Sequence, residues 1–222
     1  MPRTYAVPDL HGRYDLLEAA LGAIEHDAES GTVVFLGDYI DRGPQSRQVV
    51  ERLIAGPPPA WRWICLKGNH EDMLVEALHT PLKRDLWLEN GGTETVLSYG
   101  GMRQIPEAHV NWMASRPTLH VDRYRIFVHA GVDPTAPTDE QSQRTLLWHR
   151  WQRDQDCQHP RGHIVHGHTP HRDGPVRLSG RTNLDCLAVM TGRLVIGLFD
   201  DDYPGGPIDL IEIVKAPIGK LW

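Results

Sequence analysis

Five small groups of oxygen and nitrogen donors punctuate this 222-residue chain: Asp9 with His11; Asp38 with Asp41 and Arg42; Asn69 with His70; His129; and His168. Carboxylate, imidazole and carboxamide together suit divalent Mn, Fe or Zn, and the thiolates of a structural zinc site are missing from the set. Arg42, directly after Asp41, offers a planar fork for phosphate oxygens. Metal and phosphate chemistry is the first expectation. Each group alone has a plainer explanation. Asp-x-His after a strand is more often a turn with a polar cap, and Gly-Asp-x-x-Asp-Arg-Gly can be an Asx turn beside a surface ion pair. A lone His129 would most often be a hydrogen-bonded core histidine. Their joint, ordered occurrence is what favours a site.

Strands are the elements that can position five such groups. Each group follows an apolar run: Tyr5-Ala6-Val7, Val33 to Leu36, Trp61 to Leu66, Arg125 to Val128, and Ile164-Val165. Strand ends along one edge of an open α/β sheet are neighbours in space, so donors spread from residue 9 to residue 168 can converge. Asp38, in the middle, is the natural bridge between two ions. Helical spacing of Leu16, Leu17, Ala20, Leu21 and Ile24 predicts a helix over 14–27. Others are expected over 45–55, from about Glu71, and over 84–88, 94–99, 106–115 and 139–151. Strands are expected over 183–189, 194–199 and 208–214. Glu89 to Thr93 reads as a capping turn, or as part of the site's lining. The whole chain, 1–222, is read as one mixed α/β domain, with residues 72–117 as a helical insertion.

Bulk properties exclude several alternatives. With 23 basic and 29 acidic residues the net charge is −6, so no general nucleic-acid surface is expected. Cys65, Cys157 and Cys186 form no CxxC motif or disulfide framework, and the first residues hold no signal-like apolar run. A cytoplasmic protein is expected, with no membrane segment. Cys157, His159 and His163 lack a fourth partner for zinc and are read as a loop.

Asp9-Leu10-His11-Gly12, Gly37-Asp38-x-x-Asp41-Arg42-Gly43, Gly68-Asn69-His70-Glu71, His129-Ala130-Gly131 and Gly167-His168-Thr169 occur in this order. Together they resemble the PPP family of metallophosphatases, within the calcineurin-like metallophosphoesterases, and most of all its compact bacterial and lambda-phage-type members. The resemblance runs from about Tyr5 to Val214. It implies a two-sheet β-sandwich flanked by helices, with two divalent ions, manganese favoured over iron or zinc. By the resemblance, Asp9, His11 and Asp38 hold the first ion, and Asp38, Asn69, His129 and His168 the second. His70, paired with Asp41, protonates the leaving group, while Arg42 binds phosphate. A second arginine usually assists; Arg150 matches best, with Arg144 and Arg153 as rivals.

The implied activity is phosphomonoester hydrolysis by a hydroxide activated between the two ions. The implied partner is a phosphorylated protein carrying phosphoserine or phosphothreonine, with phosphotyrosine or a small phosphoester also in reach. Two rivals stand beside it: a dinucleoside-polyphosphate hydrolase or phosphodiesterase with the same metal core, and a non-catalytic scaffold for phosphorylated partners. The chain departs from the family pattern at Pro8, where glycine is usual, and at His166, in a place often apolar.

Overall fold

The computed structural model describes residues 3–218. The outermost residues of the expected domain, 1–2 and 219–222, lie outside it. The described strands are β1 (Arg3–Val7), β2 (Gly31–Phe35), β3 (Trp61–Cys65), β4 (Leu119–Val121), β5 (Arg125–Val128), β6 (His163–His166), β7 (Val176–Arg177), β8 (Arg181–Asn183), β9 (Arg193–Asp200) and β10 (Asp209–Val214). The helices are α1 (Tyr14–Asp27), α2 (Ser46–Ala55), α3 (Asn69–Ala77), α4 (Pro81–Trp87), α5 (Thr93–Tyr99), α6 (Glu107–Ala114), α7 (Gln143–Trp148) and α8 (Ala188–Thr191).

The strands form two five-stranded sheets, ordered β10-β9-β1-β2-β3 and β4-β5-β6-β8-β7. Strands β1, β2 and β3 are mutually parallel, as are β5, β6 and β8. Side chains alternate between the faces of a strand, so one apolar run can feed two cores. Tyr5, Val7, Val33 and Phe35 face outward onto Leu16, Leu17 and Val49 from α1 and α2. Ala6, Val34 and Leu36 face the second sheet and meet Phe127, Val165, Leu184 and Phe199. A strand covered on both faces has no place for a polar residue, which is why Val33 to Leu36 is apolar without a break. The second sheet's other face packs Ile126, Val128 and Ile164 on Leu146, Trp151 and Cys157. The architecture is thus two mixed sheets flanked by helices.

Helix α1 spans the expected residues, and α3 to α6 fill the stretch between β3 and β4. Other boundaries differ. The helix expected over 139–151 is confined to Gln143–Trp148. Ser142 accepts the Thr145 N–H at 3.1 Å and starts it late, and His149 leaves it in an extended conformation. The strand expected over 183–189 stops at Asn183. There the Asn183 side chain accepts the Asp185 N–H at 3.0 Å, and Leu187, at φ 58°, turns the chain into α8. Strands β4 and β7 are too short, at three and two residues, to show a period in the sequence. Among the described residues no helix is long and apolar enough to cross a membrane.

Candidate metal centre

The donors sit just past the ends of β1, β2, β3, β5 and β6, with Asn69 and His70 opening α3, and backbone bonds sew these connections together. His11 N–H donates to Asp38 O at 2.8 Å, Gly12 N–H to Tyr39 O at 2.8 Å, and Gly167 N–H to His129 O at 2.9 Å. The two sheets are joined where His168 N–H meets the Asp9 carboxylate at 3.1 Å. Gly167 permits this approach, because a Cβ there would overlap the carboxylate. Among the described residues, six other than glycine have positive φ: His11, Asp38, Asp41, Arg42, His168 and Leu187. All but Leu187 belong to the candidate site. Such conformations cost energy and persist where the surroundings over-determine them, which is common at functional sites.

Asp38 lies at the centre. Its Oδ2 is 3.5 Å from His11 Nε2 and 3.9 Å from His70 Nε2, and its Oδ1 is 3.5 Å from His129 Nε2. Two trios therefore share it: His11, Asp38 and His70, and Asp38, His129 and His168. The donor atoms of each trio lie within 4.8 Å of one another. Asn69 Oδ1 stands 2.8 Å, and His168 Nδ1 3.1 Å, from His129 Nε2.

The placement of protons favours a cation here. His11 and His129 each direct their Nδ1–H to a backbone carbonyl at 2.9 Å, of Ile40 and Leu36. Their Nε2 atoms then present only lone pairs, the state a metal ligand needs. Asn69 Oδ1 is likewise an acceptor, so His129 and Asn69 aim lone pairs at the same space. His168 Nε2 is buried with no hydrogen-bond partner. Burial, then neighbouring negative charge, holds Asp9 and Asp38 well above the usual carboxylate range. Burial also keeps the imidazoles neutral, pushing His129 down to about 3 and His11 well below its ordinary value. Carboxylates short of counter-charge beside neutral imidazoles form a donor set that fits divalent ions. Arg42 stands against the same donors, its Nη1 donating to His11 Nε2 at 2.7 Å.

Beside the trios, His70 Nδ1 contacts Asp41 Oδ2 at 2.7 Å. Both groups are buried. Burial pushes the Asp41 carboxyl up to about 7 against hydrogen bonds from Thr95 and Trp87, and burial also lowers His70. The Thr95 hydroxyl donates to Asp41 Oδ1 at 2.6 Å, and Trp87 Nε1–H to Oδ2 at 2.8 Å. Trp87 is fully buried beneath Asp41. Trp112 lies between Tyr39 and Arg116. The turn over 89–93 packs on Arg42, whose N–H donates to Gly91 O at 2.9 Å.

The three candidate second arginines part company. Arg150 is exposed, and its charge helps lower the pKa of His70, His129 and His168. Arg153 pairs with Asp173 on the surface at 2.6 Å. Arg144 lines a cavity of about 720 Å³ with Asp72, Met73, Leu86 and Trp148. His166 is fully buried against Arg181, 3.2 Å from it.

Two further residues escaped sequence reasoning. Asp185, buried, is raised to about 6 by burial while Arg42 and Arg150 pull it down. Reading 183–189 as continuous strand concealed it as a strand-end carboxylate. Glu71 accepts the N–H groups of Asp38, Tyr39 and Gly68 at 2.8–2.9 Å and so fixes the turn that presents Asp38. Its place three residues after Gly68 was the available signal, since a glutamate there can reach back to the N–H of the residue before the helix. Glu71→Gln turns an amide N–H toward those donors. We expect it to lower the unfolding free energy by about 1–3 kcal/mol, the cost of buried unpaired groups. Urea unfolding of the metal-free protein measures this; an unchanged midpoint and slope would contradict the role.

The sequence matches the calcineurin-like phosphoesterase family over residues 2–197. It is 39% identical over 88 residues to serine/threonine-protein phosphatase 2 of Escherichia coli (strain K12), covering 40% of this chain and 38% of that one. It is 31% identical over 135 residues to the symmetrical bis(5'-nucleosyl)-tetraphosphatase of Klebsiella pneumoniae (strain 342), covering 59% and 44%. These matches thus span less than half of either relative. In fold, a candidate diadenosine tetraphosphatase aligns with TM-score 0.68 at 21% identity, covering 96% of this chain and 95% of that one. A Saccharomyces cerevisiae protein serine/threonine phosphatase aligns at TM-score 0.63 and 16% identity, covering 98% and 81%. Strand-end donors, paired sheets and a family match over most of its length agree: the chain belongs to the calcineurin-like phosphoesterase family.

Proposed function

We propose that this chain is a hydrolase of phosphomonoesters, with phosphoserine and phosphothreonine of proteins as its main substrates and phosphotyrosine within reach. The observation that carries this reading is the buried His70–Asp41 pair beside two donor trios sharing Asp38. Asp9, His11 and Asp38 would hold one ion, and Asp38, Asn69, His129 and His168 the other, with manganese the favoured metal. Such ions supply Lewis acidity to the phosphoryl oxygens and lower the pKa of a bound water. The chain's own groups do the rest. Arg42 and Arg150 hold phosphate oxygens and counter the charge that builds on them. His70 hands a proton from Nε2 to the leaving oxygen, while Asp41 orients the ring and favours its protonated form. The three cysteines are buried and unpaired, which supports a reducing, cytoplasmic setting.

A second reading, hydrolysis of dinucleoside polyphosphates, draws support from the tetraphosphatase relatives, whose matched stretch is longer than that of the protein phosphatase. The metal core serves either substrate. Turnover with Mn(II) on phosphoserine peptides, dinucleoside tetraphosphates, cyclic nucleotides and p-nitrophenyl phosphate separates the readings. The first expects the highest kcat/KM on the peptides, abolished by chelator. Preference for the tetraphosphate would move the assignment to the second reading. A folded protein holding both ions yet inert on all four would favour a scaffold.

A further inference from the structure

Arg181 is fully buried, and its hydrogen bonds go to neutral groups. Its Nε donates to Gln155 O at 2.6 Å, and its Nη2 to Gln152 O at 2.7 Å and Arg153 O at 3.2 Å. Its Nη1 donates to His166 Nε2 at 3.2 Å. A guanidinium has no acceptor, so His166 must receive that bond on a lone pair and carry its own proton on Nδ1, which faces Gly167 O at 3.1 Å. A buried charge is costly to keep. An apolar side chain could fill the same space, but only this fork can gather three carbonyls of one loop.

That loop follows α7 and carries Arg150. We propose that Arg181, seated on His166, is a positioning residue for Arg150, clasping the loop so that the exposed guanidinium is aimed at the phosphoryl position. The proposal rests on the reading that Arg150 binds phosphate oxygens. A second clasp holds the residue that directly follows Arg150. Trp151 Nε1–H donates to Ala130 O at 3.1 Å, and Trp151 lies under the Arg181 guanidinium at 5.2 Å. Gly131 makes room for this packing, since a Cβ there would stand 2.7 Å from Trp151 Nε1 and 3.0 Å from His149 Cδ2. Both clasps are rooted beside candidate ligands: Ala130 follows His129, and His166 precedes His168 by two residues. The arm and the ligands therefore share a frame, whereas a long exposed side chain on an unclasped loop would lose its aim. The same contacts account for His166, which seats the clasp and stays out of the donor set.

The test is a double-mutant cycle with metal content measured alongside. Arg181→Lys keeps the charge but cannot span three carbonyls. Misplacement of a positioned group by about 1 Å can cost 10²-fold, so kcat/KM on p-nitrophenyl phosphate should fall roughly 10–100-fold. Competitive inhibition by inorganic phosphate should weaken by a similar factor, with two Mn(II) per chain retained. Arg150→Ala should do the same. In the double variant Arg181→Lys adds no more than about twofold to the loss from Arg150→Ala, because residues acting through one contact are not additive. Trp151→Phe, which removes the Ala130 bond and keeps a ring under Arg181, should show the same non-additivity with a smaller loss. It decides the matter alone if Arg181→Lys does not fold. Additive losses with Arg150→Ala, or folded single variants with wild-type kcat/KM and phosphate inhibition, overturn the proposal. If Arg150→Ala is itself indistinguishable from wild type, the phosphate-binding reading of Arg150 fails first and the clasp has nothing to aim.

Discussion

Asp38→Asn should leave a folded protein that has lost turnover by on the order of 10³-fold or more, above the range for removing one oxyanion donor. Asparagine is the informative replacement. It tolerates the positive φ of 54° at this position better than alanine does, and its carbonyl can still accept the His70 N–H that Asp38 Oδ1 receives at 3.0 Å. What it removes is the negative charge, and with it the ability to serve two cations at once. Asp38 is the only residue common to both donor trios found among the described residues. Loss of the shared carboxylate should therefore empty at least one position. The check is elemental analysis of the purified variant beside its kinetics. Two tightly bound ions per chain with wild-type kcat would show that the bridge lies elsewhere.

His70→Asn should keep both ions and lose kcat by about 10²–10⁴-fold on a phosphoserine peptide, the range for a removed acid catalyst. The loss should shrink sharply on p-nitrophenyl phosphate. A serine alkoxide needs a proton as it departs; nitrophenolate leaves readily without one. His70 is bonded to Asp41 at 2.7 Å, and Asp41 in turn is held by Thr95 and Trp87. Asp41→Asn should accordingly give a weaker version of the same leaving-group dependence, since Asp41 acts only through the imidazole. Equal losses on both substrates with metals intact would argue that His70 stabilises charge on the phosphoryl group and does not donate a proton. His70 Nε2 lies 3.9 Å from Asp38 Oδ2, close enough to count in a donor trio. A fall in metal content in His70→Asn would thus place it among the ligands instead.

The frame of the molecule was legible in the amino-acid order. Val33 to Leu36 is apolar at every position because β2 is covered on both faces, and the chemistry-bearing residues appear where such runs stop. The five-motif order led to the family, and the spacing of Leu16, Leu17, Ala20, Leu21 and Ile24 marked α1 to the residue. These signals can be read because each arises from neighbours along the chain: a period of two or of 3.6, or a cluster within a few residues.

Partners far apart in sequence emerged only with the packed sheets. Nothing near Asp41 indicates that Trp87 and Thr95, 46 and 54 residues away, complete its hydrogen bonding. Glu71 reads as a helix-start glutamate until the fold brings Asp38 and Tyr39 against it. Arg144, Arg150 and Arg153 are alike in a sequence; the fold exposes Arg150 with its charge lowering His129, pairs Arg153 with Asp173 on the surface and sets Arg144 in a cavity wall with Asp72 and Trp148. Asp185 was hidden because a side-chain bond to Asn183 ends β8 where propensity alone would continue it. The physical reason is the same throughout. Periodicity reports which face of an element is buried, but a hydrogen bond or a charge interaction depends on positions to within a fraction of an ångström, and those are fixed only when the sheets pack.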